Sequence, residues 1–544
     1  MNELSNLILN IKNGETLTLK KGRVYHVSED DSFVLDGFFC SNTAKMDENP
    51  TGRRYSAVYL KGMKDIVIDG NGAKILVHGK MTPFLMYKCE NITIKNLEVD
   101  YARPTMSEFT VISGKNDEYV IRINEECLFE IMDNTLYWLS EKNKNGEYYW
   151  ADTNSGAKRY IKSYNPETKH SFDFNRDDLA FEKIEQIDKT TLKVTLKNKG
   201  VTLPVGYIFQ SRTIVRDQTG ALIERCKNVT FENMRIKFMH GLGMVSQFSE
   251  NIEFLNCDFT PAKGRTITST ADFFQFSGCK GKIIIDGCKA WGAHDDYVNV
   301  HGTHLRIIDA DYTKNKVLVR FMHPESWGFQ AFDKGDVIDF IKWDTLIPYH
   351  TLKVTNFKRI NDTDIELTLD GILPEIELNK DVVENATYTP DLHVRNCRFS
   401  QSAGRGILCT TRGDVIIENN VFENLWGPAL LLEDDCNFWF ESGYTTNVIF
   451  RNNLVSGCEF HETVEGAPVI RVTPKVLNKS ADTYVHKRLT IENNTFEKSK
   501  NGTHRFLLEH LAEVIIRNNT FDADLEIKAT NLGKITEYNN IKAK

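Results

Sequence analysis

The chain reads as an all-β, right-handed parallel β-helix carrying two small inserted β-barrel-like modules. Three observations predict this: a strand-and-turn phrase recurs nine times, Asn, Asp and Gly turns break its alternating apolar runs, and two β-rich stretches interrupt the cadence. The phrase is an apolar-x-apolar triplet, then two small polar or cysteine positions, then another apolar residue.

Residues 1–109 hold the N-terminal coils and the copy Ile92-Thr93-Ile94-Lys95-Asn96. Residues 110–212 drop the phrase for text such as Glu118-Tyr119-Val120-Ile121-Arg122-Ile123, which reads as a module inserted in a solenoid loop, where insertions cost little. Residues 213–304 resume the coils with Asn233, Asn256-Cys257 and Gly287-Cys288. Residues 305–390 hold the second module, with Lys316-Val317-Leu318-Val319-Arg320-Phe321, and residues 391–544 return to coils at Asn396-Cys397, Asn419-Asn420, Asn452-Asn453, Asn493-Asn494 and Asn518-Asn519. The Asn and Cys positions predict ladders along the stack, so Cys257, Cys288 and Cys397 read as buried structural thiols.

A net charge of −8 and a sequence pI of about 6.0, with no Lys/Arg run, exclude a nucleic-acid footprint or an anionic-lipid patch and favour a neutral partner. No stretch has the length of a membrane span. Eleven cysteines without a CxxC pair read as reduced thiols. The first residues carry no basic segment or long apolar run, so the expected compartment is the cytoplasm, or the periplasm or exterior where a leader has been removed. Homo-oligomerisation is left open.

The chemistry concentrates in Thr270-Ala271-Asp272-Phe273-Phe274 and its near-copy His294-Asp295-Asp296-Tyr297-Val298. One solenoid turn separates them, so Asp272 and Asp296 stack, with Asp295 as a third carboxylate. Arg405 follows Cys397 by the interval at which Asp296 follows Cys288, which sets Arg405 beside Asp296 on the next coil. Stacked carboxylates about 4.8 Å apart cannot both ionise freely without a relieving charge. Strict alternation opposes this, because Val298 and Val300 facing the core would send Asp296 inward too. A bend before Tyr297 must turn it out.

Such a cluster suits inverting glycoside hydrolysis, in which one carboxylic acid protonates the leaving oxygen and carboxylates activate water on the opposite face. A metal site built from His294, Asp295, Asp296, His301 and His304 is the rival. Those histidines do not share a strand face, and no HExxH pattern joins them, so no metal or cofactor is expected. His294 and His301 then orient carboxylates or bind hydroxyls, and His304 belongs to the insertion.

The strings His78-Gly79-Lys80-Met81-Thr82-Pro83-Phe84, Arg103-Pro104-Thr105-Met106, Ala271-Asp272-Phe273-Phe274, His294 through Thr303, His323 through Phe332 and Glu433 through Gly443 resemble glycoside hydrolase family 110 over most of the chain. The resemblance implies an exo-acting, inverting, metal-free α-1,3-galactosidase for terminal galactose, as in the blood group B determinant or linear Gal-α-1,3-Gal. More distantly the arrangement is similar to that of polygalacturonases, which implies that Asp272 and Asp296 position the water and Asp295 is the acid. The matched motifs nominate Asn299, Glu325, Trp327, Asn437, Trp439 and Glu441 for substrate binding with His294, His301 and Arg405, and, on an early coil, His78, Lys80 and Arg103. Two alternatives stay open: a uronate hydrolase or lyase on the same solenoid, and a non-catalytic glycan-binding solenoid.

Overall fold

The computed structural model describes residues 2–460, 468–499 and 502–543. Its body is a parallel β-helix whose coils each contribute three short strands, for example Phe274–Ser277, Lys280–Asp286 and Lys289–Trp291. The first two kinds of strand join in a 22-stranded sheet and the third forms a 12-stranded sheet. A continuous apolar core fills the interior from Leu4 to Phe521.

The recurring asparagine has a conformational cause. Asn96, Asn233, Asn256, Asn396, Asn419, Asn452, Asn493 and Asn518 all have φ between 52° and 57°, and Gly287 takes the same place at 68°. Only glycine and, next best, asparagine enter this left-handed region cheaply, so these residues turn the chain between its second and third strands. The residue after each turn points inward. There Cys257, Cys288 and Cys397 are buried free thiols, and Asn420, Asn453, Asn494 and Asn519 form a ladder. The amide of Asn420 donates to Asn453 Oδ1 at 3.1 Å, that of Asn453 to Asn494 and that of Asn494 to Asn519. Asn453→Ala therefore orphans the Asn420 backbone N–H and one of the two N–H groups of its side-chain amide, the other still donating to Val394 O. Each orphaned group costs about 1–3 kcal/mol. A denaturant midpoint unchanged in that variant would contradict a ladder that stabilises the stack.

Two bodies interrupt the coils. Strands from Met106–Lys115 to Ile208–Thr213 build a seven-stranded antiparallel sheet, with a three-stranded sheet packed on it around Phe109, Trp138 and Phe209. Strands from Leu305–Asp311 to Val382–Asn385 close a six-stranded barrel. Each docks on the helix through specific ties: Lys162 Nζ donates to Ala403 O at 2.8 Å, and Arg412 pairs with Asp339 at 2.6 Å.

Between these bodies one strand row of the large sheet faces outward. Its outward positions run in register from Val245 through Gln275, Asn299, Leu408 and Leu431 to Arg471. Leu85, Leu222 and Val245, toward the N-terminus, are covered by an early loop that carries Cys40. Beyond them the row lies open as the floor of a cavity.

Candidate active site

A cavity of about 600 Å³ opens over this row, lined by the three aspartates, Arg405 and Arg216 among others. Both Asp272 and Asp296 stand two positions before a strand, Phe274–Ser277 and Val298–Thr303. Strict alternation fails here because Phe273 and Phe274 both enter the core, as do Tyr297 and Val298. Bends at Phe273 and Tyr297 allow the second inward residue. That extra step turns Asp272 and Asp296 outward. The inward rings are held by tilted ring contacts, Phe273 with Tyr297 at 5.1 Å and Tyr297 with Phe399 at 5.2 Å.

Nearest oxygens of Asp272, Asp295 and Asp296 lie within 4.8 Å of one another. Asp296 is fully buried, and Arg405 forks it, Nε to Oδ1 at 2.5 Å and Nη2 to Oδ2 at 2.8 Å. The backbone N–H of Asp296 donates to Asp272 Oδ1 at 3.2 Å. Asp295 is the exposed member, its side chain 38% accessible and 3.6 Å from Arg405. Burial, followed by the charges of Asp295 and Asp296, holds the Asp272 carboxyl well above the usual range. Burial pushes Asp296 up to about 7, with Arg405 pulling down and Asp295 pushing up. Asp272 and Asp296 therefore both hold a proton more readily than a free carboxyl, because burial and their neighbours' charges disfavour the ionised forms. An all-oxygen cluster of this kind suits a hard cation. Arg405 already engages both oxygens of Asp296, which leaves two carboxylates for an ion to meet.

Several cavity-lining neighbours are not among the residues nominated from the sequence. Arg216 follows the first module, lines the cavity and is anchored by Glu325 at 2.9 Å. Asn42 arrives on the early loop and donates to Glu441 Oε1 at 2.6 Å, which Asn299 also approaches at 3.3 Å. Glu433, Asp435, Phe438, Arg471 and Lys475 complete one wall and the far end. Asp435 accepts three successive backbone N–H groups, from Asn437, Phe438 and Trp439. This rigid turn displays Phe438 and Trp439, 62% and 44% exposed.

Of the nominated residues, Asn299, Arg405, Trp439 and Glu441 line the cavity with the three aspartates, and the rest do not. His294 is buried against the first module, accepting from Arg212 Nε at 3.3 Å and contacting Gln210 at 3.0 Å, so it braces the aspartate loop from behind. Burial, then the Arg212 charge, depresses its pKa far below the usual value and keeps it neutral. His301 lies beneath Glu441, its Nε2 3.7 Å from the carboxylate, and Glu325 reaches the site only through Arg216. Trp327 is 4% exposed, donates to Ala44 O at 3.0 Å and packs on Phe39 at 4.6 Å. It is a clamp for the loop that delivers Asn42, and Ser326 next to it bonds Asn42 directly. Asn437 turns away to Trp343 O at 3.1 Å. His78 joins His26 and Glu141, the Lys80 backbone N–H is bound to Glu29, and Arg103 donates to the backbone of Ala102 and Glu126. Those three do not reach the cavity, because their coil lies under the covered part of the row.

Trp327→Ala removes a large buried side chain, for which about 3–5 kcal/mol of stability is the usual loss. Because Asn42 hangs on that clamp, kcat/KM is expected to fall as well. A variant that loses stability but keeps wild-type kcat/KM would show that the loop holds without Trp327.

Residues 316–383 match the family described as "GLAA-B beta-barrel domain II", and residues 375–521 the one described as "Right handed beta helix region". The chain is similar to "Alpha-1,3-galactosidase A" of Akkermansia muciniphila, with 36% identity over 94% of this chain and 81% of that protein. It is 34% identical to "Alpha-1,3-galactosidase A" of Bacteroides fragilis over 93% of this chain and 81% of the relative. It is also 30% identical to "Alpha-1,3-galactosidase B" of Bacteroides thetaiotaomicron, over 89% and 77% of the two chains.

Proposed function

Because the chain belongs to the α-1,3-galactosidase family, glycoside hydrolase family 110, we propose that it releases terminal α-1,3-linked galactose from glycans by inverting hydrolysis. The observation that carries this reading is the carboxylate cluster, in which Arg405 ties up both oxygens of the buried Asp296. A carboxylate held in this fork is poorly placed to attack carbon, but it can orient a water. Asp272, one strand away, accepts that water's proton in the molecules where its raised carboxyl is ionised. Asp295, on the open side, delivers a proton to the leaving oxygen.

The exo mode is supported by the covered end of the row. Gln275 donates to Ser41 O at 3.0 Å, and Asn42 projects beside it, so a chain end fits here and a through-running glycan does not. No other group in the wall need supply chemistry. Arg216, Asn42, Asn299 and Glu441 offer donors and acceptors for the hydroxyls of one enclosed sugar.

One observation favours a retaining pathway. Oxygens within 4.8 Å are nearer to the roughly 5–5.5 Å spacing of retaining enzymes than to the roughly 6.5–9.5 Å of inverting ones. The Arg405 fork is the counter-argument, since it removes the better-placed nucleophile. NMR of galactose freshly released from Gal-α-1,3-Gal decides: β-galactose is expected first. Initial α-galactose would overturn inversion and assign Asp272 or Asp295 to a covalent intermediate.

A further inference from the structure

We infer that the acceptor glycan runs from the aspartates toward the C-terminal coils, and that Arg471 at the far end selects acceptors bearing an anionic substituent. The inference rests on the galactosidase reading above and adds a substrate class to it. Direction follows from the floor. Toward the N-terminus the row is covered by the early loop, whereas toward the C-terminus the described residues leave it open through Leu408 and Leu431 to Arg471. From Asn299 to Arg471 there are three strand steps, about 14 Å at a spacing of about 4.8 Å. That is room for the sugars that follow the terminal galactose. Two leucines in the floor and the exposed Phe438 and Trp439 in the wall present apolar surface to sugar C–H faces.

Arg471 differs from the other cations of the wall. Arg405 is matched by Asp296, Arg216 by Glu325 at 2.9 Å and Lys475 by Glu433 at 3.3 Å. Arg471 donates from Nε to Thr473 Oγ1 at 3.1 Å, which fixes the guanidinium plane, and among the described residues no carboxylate lies within ion-pair distance of it; Glu433, already paired with Lys475, feels its charge from farther away. An oriented guanidinium at the open end of a cavity is a fork for a planar or tetrahedral anion, which a neutral hydroxyl matches less well. A sulfate ester and a sugar carboxylate share that chemistry.

The test compares kcat/KM for three α-1,3-galactosyl-terminated trisaccharides: neutral, sulfated on the third residue, and with a uronic acid as the third residue. Wild-type enzyme is expected to favour one or both anionic substrates about tenfold over the neutral one, and which arm responds identifies the anion. The ratio should fall to about one in Arg471→Gln and stay partly raised in Arg471→Lys. Added salt should erode it in the wild-type enzyme, which needs no substitution and so is independent of any folding defect. A wild-type ratio of one, or a preference that survives Arg471→Gln, overturns the assignment. Failure to hydrolyse the neutral trisaccharide and Gal-α-1,3-Gal alike would overturn the galactosidase reading itself, and this one with it.

Discussion

Asp295→Asn is expected to lower kcat on Gal-α-1,3-Gal by about 10²–10⁴-fold, the usual contribution of a positioned general acid. The same variant should lose far less on an aryl α-galactoside, because a phenolate of low pKa departs without a proton. The contrast between the two substrates is the readout, since a variant that merely distorts the cavity lowers both. Asp295 is suited to this test because its side chain is the accessible member of the cluster, and an amide there leaves the Arg405–Asp296 fork untouched. Asp272→Asn, by comparison, removes water activation and should depress both substrates together. If Asp272→Asn, and not Asp295→Asn, proves sensitive to the leaving group, the two roles are exchanged. If disaccharide hydrolysis survives in both, the carboxylates are structural.

The solenoid was legible because its turn is a local conformational demand. Eight asparagines and one glycine recur where φ must be positive, and the text before each shows the period of a strand. Spacing from the turn to Asp296 and to Arg405 is equal, and the two side chains meet. Alternation alone misleads at Asp296, since Tyr297 and Val298 both turn inward. The signal for that exception is present in the sequence as the paired apolar residues Phe273-Phe274 and Tyr297-Val298, one more than a period-2 strand can send to one side.

The rest of the site is long-range. Asn42 and Glu441 are 399 residues apart, and their bond depends on a barrel that clamps an N-terminal loop through Trp327 and Ser326. Arg216 sits in a connector whose text has no period, and Arg471 occupies an ordinary outward strand position. Motif likeness located the segment around Trp327, but not the burial that makes it a clamp. A tryptophan in a glycan-active chain suggests a sugar platform; here the exposed pair Phe438 and Trp439 has that geometry, held up by the Asp435 turn.

Asp272→Asn is also expected to make the protein more stable at pH 8 while disabling it. Asp272 and Asp296 have raised carboxyls in the folded state, Asp296 to about 7 against an ordinary 3.8. An acid raised in this way keeps a proton in the folded protein that the unfolded chain has released. Its stabilising contribution is full below about pH 4 and is lost as pH rises through the folded value, at about 1.4 kcal/mol per pH unit for each proton. Asparagine has the same shape, and its oxygen can still accept the Asp296 N–H, while its amide donates toward the neighbouring carboxylates where Asp272 would repel them. The variant should therefore match wild type near pH 4 and exceed its Tm increasingly up to pH 8. The direction follows from charge crowding that catalysis requires and folding does not. Parallel Tm profiles across that range would mean that Asp272 is ionised at little cost, and that Arg216 and Arg405 neutralise the cluster more completely than its burial indicates.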